Sequence, residues 1–174
     1  YVHSINAGAD TYGRSYNDLP IFRTAEVYLN FAEAKAELGT LTQADIDKSI
    51  KLIRDRVGMP NLDVAAANAN PDPYLDNDKT GYVNVKGDMK GVILEIRRER
   101  TIELMDENFR YYDIIRWNAG LELLNFDLMS AKFTGTTEQS SIFKYKFTSR
   151  DMLWPVPQSQ INNYPSLAPQ NSGY

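Results

Sequence analysis

The segment that most restricts the fold is a helical pattern over residues 88–107, because one of its stripes changes character half-way along. At about 100° per residue, Met89, Val92, Ile93 and Ile96 share a stripe with Glu99, Arg100, Glu103 and Glu107, while Leu94, Ile102 and Met105 lie on the opposite side. A helix apolar on two faces is sandwiched between layers, so the chain is expected to build a layered helical core with the charged half-stripe against protein. Glutamates at i, i+4 and i+8 repel one another unless cations intervene. Arg100 lies within the run, and Arg110 and Arg116, with Asp113 and Trp117, follow on an aromatic segment expected to form a short helix from Phe109 to Trp117, extending towards Leu121 and Leu124. The simplest reading is a partly buried ion network of Glu99, Arg100, Glu103, Arg110, Asp113 and Arg116 that clamps two helices, with guanidinium groups pairing the carboxylates.

A catalytic reading of the same residues is weaker. Glu99 and Glu103 have the separation of a carboxylate pair, but both project from one helix between arginines, whereas a general acid needs a raised pKa. The 174 residues include one histidine, His3, and no cysteine, which removes thiolate zinc sites, cysteine nucleophiles and a positioned Ser/His/Asp triad. With 19 basic against 23 acidic residues, the chain lacks the basic excess of a nucleic-acid binder. No apolar run approaches the ~18 residues that span a bilayer, and the first residues show no secretory pattern. No cofactor is expected.

Elsewhere the pattern is helical with long irregular connections. Residues 1–17 read as an irregular lead-in. Pro20 is placed to open a helix closed by Gly39, with Ile21, Ala25, Tyr28 and Ala32 on one stripe and Leu29 and Ala36 beside it. Thr42 and Asp45 form a capping-box signature for a second helix whose stripe is Ile46, Ile50, Ile53 and Val57. About three residues join the two, so they should pack as an antiparallel hairpin. The spacing in "AEVYLNFAEAKAELG" resembles the first helix of a tetratricopeptide repeat. Residues 60–87 read as an unusually long loop, of the kind that carries function. Within it "DNDKTG" has the opening of a calcium loop, with Asp76 and Asp78 as weak metal candidates, but Gly87 stands where the twelfth-position acid belongs. "FKYKF" at 143–147 suggests a short strand, and the proline-rich end is expected to run as extended coil.

Three blocks, "LPIFRTAEVYLNFAEAKAELG", "EIRRERTIELMDENFRYYDIIRW" and "LWPVPQSQINNYPSLAPQNSGY", together resemble the conserved blocks of the SusD/RagB family, in order and across nearly the whole chain. Departures are Asp106-Glu107-Asn108, where a glycine-containing turn is common, and Ser172, where proline is usual. The resemblance implies a mainly α protein with tetratricopeptide-like units, lipid-anchored on the outer-membrane surface. It would capture glycans, or peptides in RagB-like members, without cleaving them, as the lid of a SusC-like TonB-dependent transporter. It also implies that this chain is a single-domain, C-terminal portion of a longer protein.

The family's sugar platforms are aromatic but lie mostly outside these blocks. By composition the ligand-binding candidates are Tyr74, Tyr82 and Asn84 in the long loop, against the plainer alternative that these tyrosines pin the loop. Trp117 and Trp154 are expected to pack. The other functional reading is a helical module that binds a peptide or protein in the hairpin groove through Tyr28 and Phe31.

Overall fold

The computed structural model describes residues 21–129 and 141–174; His3, Pro20 and the lead-in over 1–17 lie outside them. The fold is mainly helical. Helix α1, Thr24–Glu37, follows an extended Arg23 and starts later than a helix opened by Pro20 would. Its buried residues are Leu29, Ala32, Glu33 and Ala36. The buried stripe is therefore rotated from the expected one: Ala25 and Tyr28 are only half-buried and Ile21 is exposed, because α1 packs between two neighbours and Ile21 precedes the helix. The end of α1 is as expected. Gly39 takes φ +67°, the Thr40 N–H donates to Lys35 O at 2.9 Å and the Gly39 N–H to Ala36 O at 3.0 Å, a Schellman closure that glycine adopts without a Cβ clash.

The second expected helix is two helices, α2, Gln43–Asp47, and α3, Ile50–Arg56. The capping box is formed: Thr42 N donates to Asp45 Oδ2 at 2.9 Å and Asp45 N to Thr42 Oγ1 at 3.3 Å. The break falls at fully buried Ser49, whose hydroxyl donates to Asp45 O at 2.6 Å. Such back-bonding competes with the helical ladder. Ile46, Ile50 and Ile53 are buried as their spacing requires, whereas Val57 is exposed because α3 has ended and Gly58 turns left-handed.

The long connection is partly helical. Asp63 Oδ1 accepts from Ala66 N at 2.8 Å and caps α4, Val64–Ala69, which packs on α5, Lys90–Glu103. The approach is close: a Cβ on Gly91 would lie 1.8 Å from Ala67 O. Asn68 Oδ1 accepts the Val92 N–H at 2.8 Å, satisfying a donor that the first turn of a helix leaves unpaired. With α1 and α4 both on α5, Val92, Ile93, Leu94 and Ile96 form the centre of the core. The two-sided burial covers only that stretch; Ile102 and Met105 are exposed, on the side of the chain away from buried Arg100 and Leu104.

Left-handed Asp106 and Asn108 turn the chain into α6, Phe109–Arg116. These residue types tolerate that conformation best after glycine, which accounts for a turn here without glycine. A further left-handed residue, Asn118, separates α6 from α7, Gly120–Leu123, so the aromatic helix does not continue. Strands β1, Asp127–Met129, and β2, Ser141–Lys144, pair antiparallel; of "FKYKF", only Phe143 and Lys144 fall in the strand. The terminal stretch is a correction. It holds a helix α8, Gln158–Asn163, and a 3-10 turn at Pro165–Leu167, because its prolines flank the helix instead of interrupting it; another 3-10 turn, Ser149–Met152, precedes it.

Candidate functional site

The charged half-stripe of α5 is tied to three other segments. Glu99 Oε1 accepts from Arg54 Nε at 2.7 Å, a buried contact with α3. Glu103 accepts from Arg23 Nη1 at 2.5 Å and Arg56 Nη2 at 2.7 Å, and Arg23 Nε also reaches Glu107 Oε1 at 2.8 Å. Hydrogen bonds from Arg23 to Glu107 and Glu103 raise its pKa above the ordinary arginine value despite partial burial.

Arg100 Nη1 donates to Asn30 Oδ1 at 2.6 Å and its Nε to Asp113 Oδ2 at 2.7 Å. Asp113 also accepts from Arg116 Nε at 2.9 Å. Arg116 then forks onto Glu33 at 2.5 and 2.7 Å, and Trp117 Nε1 donates to the same carboxylate at 2.6 Å. Burial pushes the Glu33 carboxyl up, but hydrogen bonds from Arg116 and Trp117 and the charges of Arg116 and Arg100 outweigh it, leaving its pKa lowered. Arg110 is a correction to the expected network. It donates to Tyr82 Oη at 2.7 Å and Thr101 Oγ1 at 2.8 Å, and its role is to hold the loop. With Glu99 and Glu103 each engaged by arginine, the i, i+4 pair has the geometry of a structural clamp.

The loop candidates separate. Tyr82 is only 3% exposed. Its ring meets Trp117 edge-on at 5.4 Å, and the Arg97 guanidinium lies over both rings, 5.1 and 4.8 Å from their centroids. Burial lowers the Arg97 pKa, and Glu37 at 3.2 Å offsets it only in part. Asn84 donates to Trp117 O and faces Arg97 with its Oδ1 at 3.5 Å. Tyr82 therefore binds the loop to the helices and offers no open face, a correction whose cause is the buried apolar register of Leu75, Tyr82 and Val85, whereas Asn84 stays exposed with its amide engaged at Trp117 O. Tyr74, at 63% exposure, and Asn84 are the two of the three that are open.

The two calcium candidates, Asp76 and Asp78, differ in their surroundings. Asp76 pairs with Lys90 Nζ at 2.6 Å, so a cation of the protein's own occupies its carboxylate. The Asn77 side chain accepts from the Lys79 and Thr80 N–H groups at 2.8 and 3.0 Å, and Asp78 is exposed. Among the described residues, no group of three or more His, Cys, Asp or Glu is arranged to hold a metal. Of the two tryptophans, Trp117 packs as expected, but Trp154 is 77% exposed.

Glu33, Arg23, Arg54, Arg56 and Arg97 were not legible as site or network members. Glu33 had a signal: it falls beside Leu29, Ala32 and Ala36 on the stripe that becomes buried. The arginines had none, since the carboxylates they pair with lie at least 41 positions away. A cavity of about 250 Å³ opens between α1 and α3, lined by Arg23, Ala25, Tyr28, Leu52, Arg56 and Glu103 among others.

The family model described as the SusD family matches residues 1–174. No curated protein matches the chain. Among solved structures it is similar to a SusD-like protein from Bacteroides fragilis NCTC 9343, with 30% identity and a TM-score of 0.61 over 88% of this chain and 25% of that one. It is also similar to a SusD-like carbohydrate binding protein from the same organism, with 27% identity and a TM-score of 0.62 over 86% of this chain and 28% of that one. The chain thus spans about a quarter of the length of these two structures. Matched by the family model from first residue to last, and sharing a helical arrangement with both SusD-like structures, the chain belongs to the SusD family.

Proposed function

We propose that this chain is part of a non-catalytic, cell-surface glycan-binding component of a SusC/SusD-type nutrient uptake system, partnered with a SusC-like TonB-dependent transporter. The observation that carries this reading is the similarity to a solved SusD-like carbohydrate binding protein within a family match covering the whole chain. The chemistry is compatible: the carboxylates spaced for acid and base work are engaged by arginines, and Glu33 is held ionised. Among the described residues no helix is long and apolar enough to cross a membrane, and a lipid anchor on the outer-membrane surface would place the protein beside its transporter. Tyr74 and Asn84 are the loop candidates left open to a ligand. Calorimetric titration against plant, host and microbial glycans and mixed oligopeptides tests the reading. Heat with one glycan class supports it; a folded chain that binds only peptides removes it.

A second reading, a helical module for peptides, is favoured by the groove between α1 and α3. Tyr28 and Leu52 give that cavity an apolar wall beside the ion-paired side chains of Arg23, Arg56 and Glu103. Weaker peptide binding by Tyr28→Ala, without loss of fold, would establish it.

A further inference from the structure

Three arginines are buried among the described residues, Arg54, Arg97 and Arg100, and one of them is poorly paired. Arg54 and Arg100 each place Nε on a carboxylate at 2.7 Å, that of Glu99 and of Asp113 respectively. Arg97 is as deep, at 5% exposure, but its Nε has no hydrogen-bond partner among the described residues. Its other nitrogens make two long contacts, Nη2 to Glu37 Oε1 at 3.2 Å and Nη1 to Asn84 Oδ1 at 3.5 Å. The Glu37 side chain is 47% exposed, so water weakens its hold on the guanidinium. A guanidinium carries five N–H groups, and burying a charge without replacing its hydration is unfavourable. The Tyr82 and Trp117 rings against it offset only part of that loss.

What covers Arg97 is the end of the long connection. The Tyr82 ring lies against the guanidinium, and Tyr82 and Val85 are both buried. Polar groups latch this segment at its edges: Arg110 Nη1 donates to Tyr82 Oη at 2.7 Å, and the exposed Asn84 donates to Trp117 O. Water can replace both bonds. Lifting 82–85 from α5 returns the Arg97 guanidinium to water, while the core around Val92, Ile93, Leu94 and Ile96 stays packed.

We infer that residues 82–85 are a releasable strap: the poorly paired charge of Arg97 beneath them lowers the energy of opening, so the strap lifts locally while the helices remain folded. Exchanging a buried ionic side chain for an apolar one of similar size is often stabilising. Here nature has kept the charge, and the segment above it is thereby drawn from the low end of the local stability range. The strap lifts in this way whatever the protein binds. Asn84 lies in it and Tyr74 in the same connection, so its release changes the surface that both present.

The test is hydrogen exchange of the full chain, read by mass spectrometry on peptides covering 75–86 and, as a control, 43–56 of α2 and α3. Parent, Arg97→Met and Glu37→Gln are compared. Methionine keeps much of the side chain's length and packs well on aromatic rings. Arg97→Met should therefore slow exchange in 75–86 by about tenfold or more and leave 43–56 unchanged. Glu37→Gln removes the carboxylate paired with Arg97 and should speed exchange in 75–86 by about threefold. An arginine that merely supports the fold gives faster exchange in both variants, so the opposite signs are the signature of the strap. Faster or unchanged exchange in Arg97→Met overturns it, as does slowing that extends equally to 43–56, which marks global stabilisation. An Arg97→Met chain that fails to fold also overturns it, because the arginine is then a net stabiliser. Exchange in 75–86 that Glu37→Gln leaves unmoved or slows overturns the part assigned to Glu37 and, with it, the account of Arg97 as poorly paired.

Discussion

Arg100 donates from Nε to Asp113 Oδ2 at 2.7 Å, and each of these side chains is only 5% exposed. The pair joins α5 to α6, and through Asn30 and Glu33 it reaches α1. Arg100→Met should therefore cost about 3 kcal/mol, because it leaves a buried carboxylate with one cation fewer. The remaining Arg116 contact at 2.9 Å limits the loss. Denaturant unfolding of parent and variant measures it; a change below about 0.5 kcal/mol would show the pair to be solvated.

Glu33 sets an acid-side dependence. Its folded pKa is lowered, so its contribution is fully present above the unfolded value of about 4.3 and is lost as pH falls through the depressed folded value. Stability of the parent should exceed that of Glu33→Gln at pH 7, and the gap should narrow only below about pH 4.3. Unfolding free energies measured from pH 7 down to pH 3 decide this, and a gap that closes above pH 5 contradicts it.

Gly91 allows α4 to lie on α5. With Ala67 O only 1.8 Å from where a Cβ would sit, Gly91→Ala should destabilise by about 2 to 3 kcal/mol, although alanine is the better helix former. Equal or greater stability in a thermal melt would mean that α4 can move away freely.

Tyr74 and Tyr82 should respond oppositely to truncation. Tyr82→Ala removes a buried ring from between Arg97, Arg110 and Trp117 and should cost about 3 kcal/mol or more. Tyr74→Ala, at an open position, should stay within about 0.5 kcal/mol of the parent. Paired denaturant titrations separate the two, and similar costs would show that the loop does not divide in this way.

Much of the helical content was readable from local rules. The Gly39 closure, the Thr42–Asp45 cap, the core stripe of α5 and the aromatic helix from Phe109 each depend on residues within a few positions of one another. Boundaries and breaks were less legible. Ser49 interrupts α2 and α3 through a hydroxyl whose preference for a backbone carbonyl emerges only when burial removes water as its partner. In the loop, Tyr74 and Tyr82 have the same side chain in similar surroundings of turn residues, and only the packing of α5 and α6 separates the open one from the buried one.

The sequence by itself determined that this chain is a helical protein with a charged stripe that had to meet cations, because helical periodicity and like-charge repulsion act over one or two turns. Tertiary structure alone decided which cations those are. Arg54 and Arg56 of α3 and Arg23 before α1 supply Glu99 and Glu103, whereas Arg110, much nearer in sequence, turns to Tyr82. It also decided which aromatic residues stay in water: Tyr82 and Trp117 close over Arg97, while Trp154 and the ridge of Phe126, Tyr145 and Phe143 remain open. The physical reason is that a side chain's partner is set by distances between helices, and those follow from how the layers pack, at separations local pattern does not encode.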